Sequence, residues 1–515
     1  MYLTQGVHRA MQQDPDAVAT VCGGRVRTWG EGADRIARLA GALHGLGVEA
    51  GDRVGIFALN SDRYHETLLA TWWAGAVVNP VNIRWSPKEI AYSLRESDTR
   101  VLLVDDAFAA LVPALRAEWD GVWVWVFCGD GAVPEGMLSY ESLIAGNEPV
   151  EDARRGGDDL AGIFYTGGTT GFPKGVMLSH DNLCAAALSA MATATICRPG
   201  GRVLTAAPMF HLAGLSLWNA QNAVRGSHVF VPTFDPVAVL EALSRHRPTS
   251  VLLVPAMIQM LVDHPRVAEF DLSSLEALFY GASPISQALL ERAMKVLPNT
   301  RFTQGYGMTE LSPTATLLVP EDHRDPELLR SAGRAMAFVD MRIADAEGRE
   351  VPTGEVGEVL VRCVGMMQGY WERPQETADA LRDGWMHTGD AGYVNDRGYL
   401  FLVDRIKDMI VTGGENVYSA EVENAVAQHP AVVTCAVIGV PDSEWGERVH
   451  AVIVLKQGHT ATEAEIREHT KDLIAGYKAP RSCEFVEALP LTAAGKVSKK
   501  DLRAPYWETA DRSVN

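Results

Sequence analysis

The chain has 515 residues, of which 47% are hydrophobic and 22% are charged, and its formal net charge at pH 7 is −19. This length allows two to four domains, and the acidic balance disfavours a broad surface for binding nucleic acid. The seven cysteines show no C-x-x-C spacing, which disfavours both a disulfide framework and a zinc site and fits a reducing compartment. No N-terminal segment has the order of a signal peptide, and no apolar run approaches the length of a transmembrane helix, so we expect a cytoplasmic protein.

Helical and strand patterns alternate through the first 400 residues. Ile36, Leu39 and Leu43 recur at helical spacing, and Ser86 with Glu89 three residues later predicts the start of another helix. Short apolar runs that indicate buried strands occur at residues 54–57, 101–104, 251–254 and 277–280. Such alternation predicts an α/β fold in which parallel sheets are covered by helices.

The segment YTGGTTGFPKG, residues 165–175, is rich in glycine and hydroxyl groups and carries a single lysine, Lys174. Glycines bring backbone N–H groups close to a ligand, and threonines and lysine add further donors, which suits a phosphate. The segment is not a P-loop, because Pro173 precedes the lysine and Gly175 follows it. A flexible surface loop is the alternative, but the apolar runs on both sides favour an anion-binding turn between two ordered elements.

The composition of the chain changes near residue 400, where charged residues and glycines become frequent. Residues 432–440 and 449–455 have strand patterns, residues 461–475 have a helical pattern, and Ser419 marks a helix start. We therefore expect a domain boundary at about residues 404–408, followed by a small α+β domain.

Eight motifs in this order resemble the adenylate-forming enzymes, which include acyl-CoA synthetases, adenylation domains and firefly-type luciferase. The motifs are YTGGTTGFPKG, PMFHLAG, FYGASP, QGYGMTE, GWMHTGD, VDRIKDMIVTGGENVYSAEVE, WGERV and PLTAAGKV. The resemblance covers residues 10–505 and implies a large N-terminal domain of stacked, mostly parallel sheets (1–404), a hinge (405–408) and a small mobile C-terminal domain (409–515). It also implies that Mg-ATP activates a carboxylic acid to an acyl-adenylate, whose acyl group then passes to the thiol of coenzyme A.

The resemblance implies a set of nucleotide-binding residues. They are Thr166, Gly168, Thr169, Thr170, Gly171, Lys174, Gly281, Ala282, Ser283, Gln304, Gly305, Tyr306, Gly307, Met308, Thr309, Asp390, Arg405 and Lys496. The glycine-rich segment is expected to hold the β- and γ-phosphates, and Tyr306 to flank the adenine. Gly167 departs from the serine that is usual in the family, so one hydroxyl donor is missing there.

The same resemblance implies four catalytic residues, which are Thr166, His211, Glu310 and Lys496. Glu310 is expected to bind Mg²⁺ as a hard oxygen ligand, and His211 to lie near the substrate carboxylate. Lys496 is expected to offset the repulsion between the attacking carboxylate and the α-phosphate. Asp390 is expected to accept hydrogen bonds from the ribose, with Arg405 as its partner. Core packing, an exposed salt bridge or a solvated charge is the alternative for each of these residues taken alone.

The C-terminal motifs imply a coenzyme A surface and a hinge. The expected coenzyme A residues are Gly413, Gly414, Trp445, Tyr477, Lys478 and Arg481, with an unrelated surface cluster as the alternative. Lys407 occupies the hinge position, about which the small domain is expected to rotate between the two half-reactions.

An apolar substrate is expected from the residues that the resemblance assigns to the acyl pocket. They are His211, Ala213, Gly214, Leu217, Ala282, Gly305, Leu311 and Pro313. Because no buried aspartate stands there to bind an ammonium group, an amino acid is disfavoured. A medium- or long-chain fatty acid is favoured over aryl and cinnamic acids; loading of a carrier protein, luciferase-type oxygenation and a non-catalytic ATP-binding role are further alternatives. The family likeness also suggests a homodimer.

Overall fold

The computed structural model describes residues 1–167, 173–491 and 497–507. Within these residues the α-helices are α1 (Gln5–Gln13), α2 (Trp29–Gly45), α3 (Asp62–Trp73), α4 (Pro87–Glu96), α5 (Val112–Glu118), α6 (Tyr140–Gly146), α7 (His180–Thr193), α8 (Leu212–Ala223), α9 (Pro236–His246), α10 (Pro255–Val262), α11 (Gln287–Val296), α12 (Pro374–Ala380), α13 (Ser419–Val426), α14 (Glu463–Lys471) and α15 (Lys499–Trp507). None of the helices in the described part of the chain is long and apolar enough to cross a membrane.

The β-strands of the same residues fall into four sheets. They are β1 (Val18–Cys22), β2 (Arg25–Thr28), β3 (Arg53–Phe57), β4 (Val77–Pro80), β5 (Val101–Val104), β6 (Val124–Phe127), β7 (Leu138–Ser139), β8 (Leu160–Thr166), β9 (Lys174–Ser179), β10 (Arg202–Thr205), β11 (Ser227–Phe230), β12 (Ser250–Leu253), β13 (Ala277–Gly281), β14 (Arg301–Tyr306), β15 (Thr316–Leu318), β16 (Arg334–Ala335), β17 (Val339–Ala344), β18 (Gly357–Cys363), β19 (Gly369–Tyr370), β20 (Leu381–Arg382), β21 (Trp385–Val394), β22 (Leu400–Arg405), β23 (Ile410–Thr412), β24 (Glu415–Val417), β25 (Val432–Asp442), β26 (Gly446–Leu455) and β27 (Ser482–Phe485).

Most of the predicted elements are confirmed, with differences at their ends. Strand β12 ends one residue before the predicted 251–254 run does, because Val254 is already the N-cap of α10. The helix predicted over residues 461–475 is shorter, since Thr462 caps α14 and the helix ends at Lys471. In α4 the predicted start is confirmed in detail, because Ser86 and Glu89 form both hydrogen bonds of a capping box.

A nine-stranded sheet has the order β16-β15-β14-β13-β12-β10-β11-β1-β2. Its central strands from β14 to β1 are parallel, and antiparallel strands close both edges. Apolar side chains of the sheet and of α9, α10 and α11 form one buried cluster, and those of α7 and α8 contribute to another. The sheet is therefore covered by helices, as the alternating pattern predicted.

An eight-stranded sheet has the order β19-β9-β8-β4-β3-β5-β6-β7. Strands β8 to β7 along this order are parallel, whereas β9 and β19 are antiparallel to their neighbours. A third sheet has the order β17-β18-β21-β20, with β22 paired to β21. The fold class is thus α/β with mixed, mostly parallel sheets in the large N-terminal part, and the prediction is confirmed.

The chain divides into two compact units. One comprises Met1–Met341 and Val361–Met386, and the other comprises Arg342–Leu360 and His387–Asn515. In the second unit the sheet β24-β23-β26-β25, with β27 on β26, packs its apolar side chains with those of α13 and α14. The predicted hinge at residues 405–408 and the domain limits derived from it stay predictions.

Candidate functional site

The two ends of the glycine-rich segment are held by neighbouring antiparallel strands. Thr166, the last residue of β8, pairs with Lys174, the first residue of β9. Gly167 lies next to Thr166, and a Cβ added there would meet no atom of the described residues within 4 Å. Four predicted residues of this segment, Gly168, Thr169, Thr170 and Gly171, lie outside the described residues. The strands thus place the predicted Thr166 and Lys174 side by side.

Tyr370 brings together two of the predicted site residues. Its hydroxyl donates to Oε1 of Glu310 at 2.8 Å, and the Nζ of Lys174 lies 5.0 Å from the centre of its ring. Glu310 is almost fully buried, in a short 3₁₀ helix at Thr309–Leu311. Burial and, after it, the charge of Glu310 raise the pKa of Tyr370 well above its usual range, so its hydroxyl is a donor at neutral pH. The sequence analysis did not identify Tyr370. The signal that could have pointed to it is the pair of adjacent aromatic residues Tyr370 and Trp371, which is followed by charged residues.

The predicted adenine-binding residues lie at the carboxyl ends of two parallel strands, where ligands of α/β sheets commonly bind. Gly281 ends β13 and is the register partner of Gly305 in β14. A side chain on Gly281 would collide with the carbonyl oxygen of Gly305, so only glycine permits this approach. Tyr306 is the last residue of β14, and beyond the two strand ends lie the remaining predicted residues, which are Ala282, Ser283, Gly307, Met308 and Thr309. Gln304 precedes them in β14 and accepts a long hydrogen bond from Tyr280.

Asp390 and Arg405 are cross-strand partners in the second unit. The register of β21 and β22 pairs them, and the Nε of Arg405 lies 2.6 Å from Oδ1 of Asp390. The side chain of Asp390 is 11% exposed, against 45% for Arg405. The two residues therefore form a direct ion pair, which is the alternative that the sequence left open, and their roles at the ribose stay predictions. A carboxylate held in this way can still accept hydrogen bonds from a diol.

An apolar cavity lies beside α8 in the first unit and has a volume of about 30 Å³. Leu217 and Pro313 of the predicted acyl pocket line it. Aliphatic side chains form most of the wall, and four aromatic residues also line it, which are Trp72, Phe164, Trp218 and Phe279. Ser216, Asn219, Ser312 and Thr314 add polar groups to it. Sequence reasoning missed these polar and aromatic residues, because they converge only through tertiary packing.

The other predicted acyl-pocket residues do not line this cavity. His211 is the N-cap of α8 and packs its ring 4.2 Å from that of Phe210, between centroids. Ala213 and Gly214 belong to the first turn of α8, and Gly214 lies against the carbonyl of Pro208. Leu311 is fully buried. Gly305 lies directly against the ring of Phe279, which is itself a cavity wall.

Three of the predicted coenzyme A residues meet at one place in the second unit. Gly413 and Gly414 form the turn between β23 and β24 with φ of 61° and 82°, a conformation that favours glycine. The N–H of Gly413 donates to the carbonyl of Trp445 at 2.9 Å, and the guanidinium of Arg481 stacks over the indole at 4.3 Å. Tyr477 is exposed, and Lys478 is paired with Glu421 at 2.8 Å.

The predicted hinge residue Lys407 lies in a short 3₁₀ helix, Ile406–Asp408, that follows β22. Arg503 of α15 donates to the carbonyl of Lys407 at 3.0 Å and to that of Asp408 at 3.2 Å. These bonds hold the turn in its present conformation. Lys496, the predicted catalytic lysine, lies outside the described residues.

Comparison with known proteins gives similarity over nearly the whole chain. Residues 7–371 match the family model for an AMP-binding enzyme, and residues 421–496 match the model for an AMP-binding enzyme C-terminal domain. A feruloyl-CoA synthase of an Amycolatopsis species is 41% identical over 97% of this chain and 98% of its own length. A medium/long-chain-fatty-acid–CoA ligase of Mycobacterium tuberculosis is 36% identical over 95% of this chain and 87% of its own length. The crystal structure of ATP-bound MatB from Rhodopseudomonas palustris superposes with a TM-score of 0.88 at 31% identity, covering 98% of this chain and 99% of that one.

Proposed function

Since the chain belongs to the AMP-binding enzyme family and is an AMP-forming acid–CoA ligase, we propose that its substrate is a compact aryl acid of the hydroxycinnamate type. The carboxylate attacks the α-phosphorus of ATP and pyrophosphate leaves, which gives an acyl-adenylate. The thiolate of coenzyme A then attacks the acyl carbon, and AMP leaves as the thioester forms.

Each of the predicted nucleotide-binding residues supplies a different kind of contact. Lys174 supplies a positive charge for the phosphates, and the hydroxyl of Thr166 beside it supplies a donor. Asp390, fixed by Arg405, accepts from the ribose hydroxyls. Tyr306, at the end of β14, offers a ring for the adenine. Lys496 carries the neutralising charge for the transition state of adenylation.

The donor chemistry around Glu310 fits Mg²⁺. A carboxylate is a hard oxygen ligand, and Mg²⁺ is typically bound by one or two carboxylates together with substrate phosphates. Glu310 is a nearly buried carboxylate whose Oε1 already accepts a directed hydrogen bond from Tyr370. When bound, Mg²⁺ would neutralise charge on the phosphates and favour the departure of pyrophosphate. Glu310 would hold it, and Tyr370 would orient that carboxylate.

The cavity beside α8 is the observation that supports an aryl acid. Its volume of about 30 Å³ is far below the roughly 300 Å³ at which small-molecule sites usually begin, so its walls must yield to the acid. A flat ring requires a smaller displacement than a long alkyl chain does. Aromatic walls also suit a ring, which stacks on them or meets them edge to face. The relative that is 41% identical is named for a feruloyl substrate, which agrees with this proposal.

Polar groups on the wall favour a ring that carries a hydroxyl. The hydroxyl of Ser216 donates to the carbonyl of Ala213 at 2.8 Å, and that of Ser312 donates to the carbonyl of Gly365 at 2.7 Å. Because a serine oxygen accepts as well as donates, each can take a hydrogen bond from a phenol. An alkyl chain would leave this capacity unused.

A fatty acid is the second candidate, and one wall of the same cavity favours it. Leu183, Ala186, Ala187, Ala190 and Ile196 give that side an aliphatic surface without polar groups. Bending of α7 away from α8 would open a channel along this surface. The fatty-acid–CoA ligase that is 36% identical fits this alternative.

Coenzyme A would bind at the turn formed by Gly413 and Gly414 in the second unit. The Trp445 ring fills the space beside Gly413, whereas a Cβ at Gly414 would meet no atom of the described residues within 4 Å, which leaves room there for the pantetheine arm. Trp445 and Arg481 offer a ring and a cation for the nucleotide part. Rotation about Lys407 would present this surface after adenylation, and the bonds from Arg503 to Lys407 and Asp408 would have to break.

The experiment is a mass-spectrometric assay of the whole protein with Mg-ATP, coenzyme A and a panel of hydroxycinnamic, benzoic and C6–C16 fatty acids. Acyl-adenylate and acyl-CoA are scored separately, with Lys496→Ala beside the wild type. We expect hydroxycinnamoyl-CoA from the wild type, and from Lys496→Ala only thioester formation from supplied acyl-adenylate. Fatty acyl-CoA alone would reject the aryl substrate, and equal loss of both half-reactions in Lys496→Ala would reject the role of that lysine.

A further inference from the structure

Tyr370 contacts a lysine and a carboxylate to which the proposed function assigns the same ligand. Its hydroxyl donates to Glu310 at 2.8 Å, and its ring faces the ammonium of Lys174 at 5.0 Å. A positive charge over the face of an aromatic ring is attracted by the ring's quadrupole, and a buried carboxylate is stabilised by a directed donor. The ring of Tyr370 thus contacts the positive charge of Lys174, and its hydroxyl contacts the negative charge of Glu310.

The backbone around Tyr370 is fixed to both of the elements that carry those charges. Strand β19 pairs with β9, so that Tyr370 is the register partner of Val176, two residues after Lys174. The N–H of Trp371 donates to the carbonyl of Gly175 at 2.8 Å. The N–H of Met367 donates to the carbonyl of Glu310 at 2.8 Å. Main-chain hydrogen bonds of this segment therefore connect the start of β9 to the 3₁₀ helix of Glu310.

The residues that follow Tyr370 prevent its ring from swinging away. The indole N–H of Trp371 donates to the carbonyl of Glu96 at 2.9 Å, and Arg373 forms an ion pair with the carboxylate of Glu96 at 3.0 Å. The N–H of Tyr370 donates to the hydroxyl of Thr377 at 2.9 Å. Since Tyr370 is also 92% buried by its surroundings, with 8% of its surface exposed, it is a rigid support.

We infer that Tyr370 is a positioning residue that orients Glu310 for Mg²⁺ and Lys174 for the phosphates before Mg-ATP arrives. The inference rests on the proposed roles of Lys174 and Glu310. By occupying Oε1, the tyrosine hydroxyl fixes the plane of the carboxylate, as partners of metal ligands commonly do. By facing the ammonium, the ring restrains a side chain that otherwise has many rotamers. Both effects lower the ordering cost of binding.

The hydroxyl and the ring make separable contributions. Tyr370→Phe retains the ring under Lys174 and removes the donor to Glu310, whereas Tyr370→Leu removes both. The matched control is Tyr140→Phe, because Tyr140 is also buried and its hydroxyl donates to a buried carboxylate, Glu66, at 2.8 Å. Tyr140 belongs to α6 and lies outside the proposed site. Glu310→Gln tests the role of the carboxylate itself.

The measurement is the affinity for ATP by calorimetry, first in EDTA and then at increasing MgCl₂, on the whole protein. We expect Tyr370→Phe to raise, about tenfold or more, the Mg²⁺ concentration at which half of the Mg²⁺-dependent increase in ATP affinity is reached. The affinity for ATP in EDTA should be unchanged. Tyr370→Leu should in addition weaken binding in EDTA, and Tyr140→Phe should change neither. Melting temperatures of all variants establish that each is folded.

The outcomes separate the inference from the function on which it rests. If Tyr370→Phe responds to Mg²⁺ as the wild type does while Glu310→Gln does not, Tyr370 has no positioning role and Glu310 keeps its own. If Tyr370→Phe lowers the affinity for ATP equally in EDTA and in Mg²⁺, the inference is also overturned. If Glu310→Gln responds to Mg²⁺ as the wild type does, the proposed metal ligand is wrong, and the positioning role falls with it.

Discussion

The guanidinium of Arg405 and the carboxylate of Asp390 face each other across β21 and β22, with 2.6 Å between Nε and Oδ1. The main chain at Asp390 is fixed as well, since its N–H donates to the hydroxyl of Thr388 at 3.1 Å. A carboxylate held from both sides keeps its orientation when a ligand binds, and it presents acceptors only. We propose this pair as the ribose-binding part of the second unit.

Replacement of Asp390 by asparagine should weaken ATP binding about tenfold or more. The amide cannot accept from two hydroxyls as a carboxylate does, and a hydrogen bond to a charged group contributes roughly 1.5–3 kcal/mol. Calorimetry with ATP measures the change. Asp396→Asn, in the exposed turn of the same hairpin, is the control and should bind as the wild type does. Equal affinities for Asp390→Asn and Asp396→Asn would remove Asp390 from the ribose site.

Replacement of Gly167 by serine should lower the KM for ATP about tenfold or more. A Cβ added at Gly167 meets no atom of the described residues within 4 Å, and a hydrogen bond to a charged phosphate oxygen contributes roughly 1.5–3 kcal/mol. Steady-state kinetics with varied ATP measures the effect. Gly24→Ser, in an equally open position between β1 and β2, should leave the KM unchanged. A KM that rises in Gly167→Ser would show that glycine is required at this position.

Replacement of Ser216 by alanine should reduce the preference for hydroxylated over unsubstituted cinnamic acids about fivefold to tenfold. The variant removes an acceptor from the cavity wall and keeps the wall's shape, and one hydrogen bond carries roughly 1 kcal/mol. The ratio of kcat/KM values for the two acids is the measurement. Ser93→Ala is the matched control, since Ser93 also donates to the carbonyl three residues earlier but lies in α4. An unchanged ratio would place the ring hydroxyl elsewhere.

Replacement of Asp62 by asparagine should destabilise the protein by up to about 3–5 kcal/mol, because it removes a buried carboxylate from two partly buried arginines, which keep Asp130 and Glu66 as partners. The side chain of Asp62 is 1% exposed and pairs with both Arg25 and Arg27. Denaturation in urea measures the free energy of unfolding. Asp263→Asn, which breaks the exposed pair with Arg292, should cost no more than about 1 kcal/mol. Similar losses in both variants would contradict this account.

The stabilisation by Asp62 should decline in acid. Burial alone would raise the pKa of Asp62, but hydrogen bonds and charges from Arg25 and Arg27 outweigh it and bring the pKa below its ordinary value. Such a group stabilises the folded state fully above its unfolded pKa of about 3.9, and the contribution is lost as the pH falls through the folded pKa. The difference in unfolding free energy between wild type and Asp62→Asn should therefore be constant from pH 5 to 8 and shrink below about pH 4. A difference that grows on acidification would contradict the assignment.

Local signals explain which parts of the fold could be predicted. The capping box of Ser86 and Glu89 acts over three residues, so the sequence contains the whole interaction. The end of β12 and the start of α14 differ from the prediction because the caps at Val254 and Thr462 compete with the apolar pattern. Tyr370 could not be found in this way, since its partners Lys174 and Glu310 lie 196 and 60 residues earlier in the chain.

The acid is the central claim, and one competition assay tests it most directly. The wild-type protein is given ferulic acid and dodecanoic acid at equal concentration with Mg-ATP and limiting coenzyme A, and both thioesters are quantified by mass spectrometry. The aromatic, partly polar wall of the cavity beside α8 predicts feruloyl-CoA in more than tenfold excess. Dodecanoyl-CoA in excess would contradict the aryl assignment and would favour the aliphatic wall formed by α7 as the substrate surface.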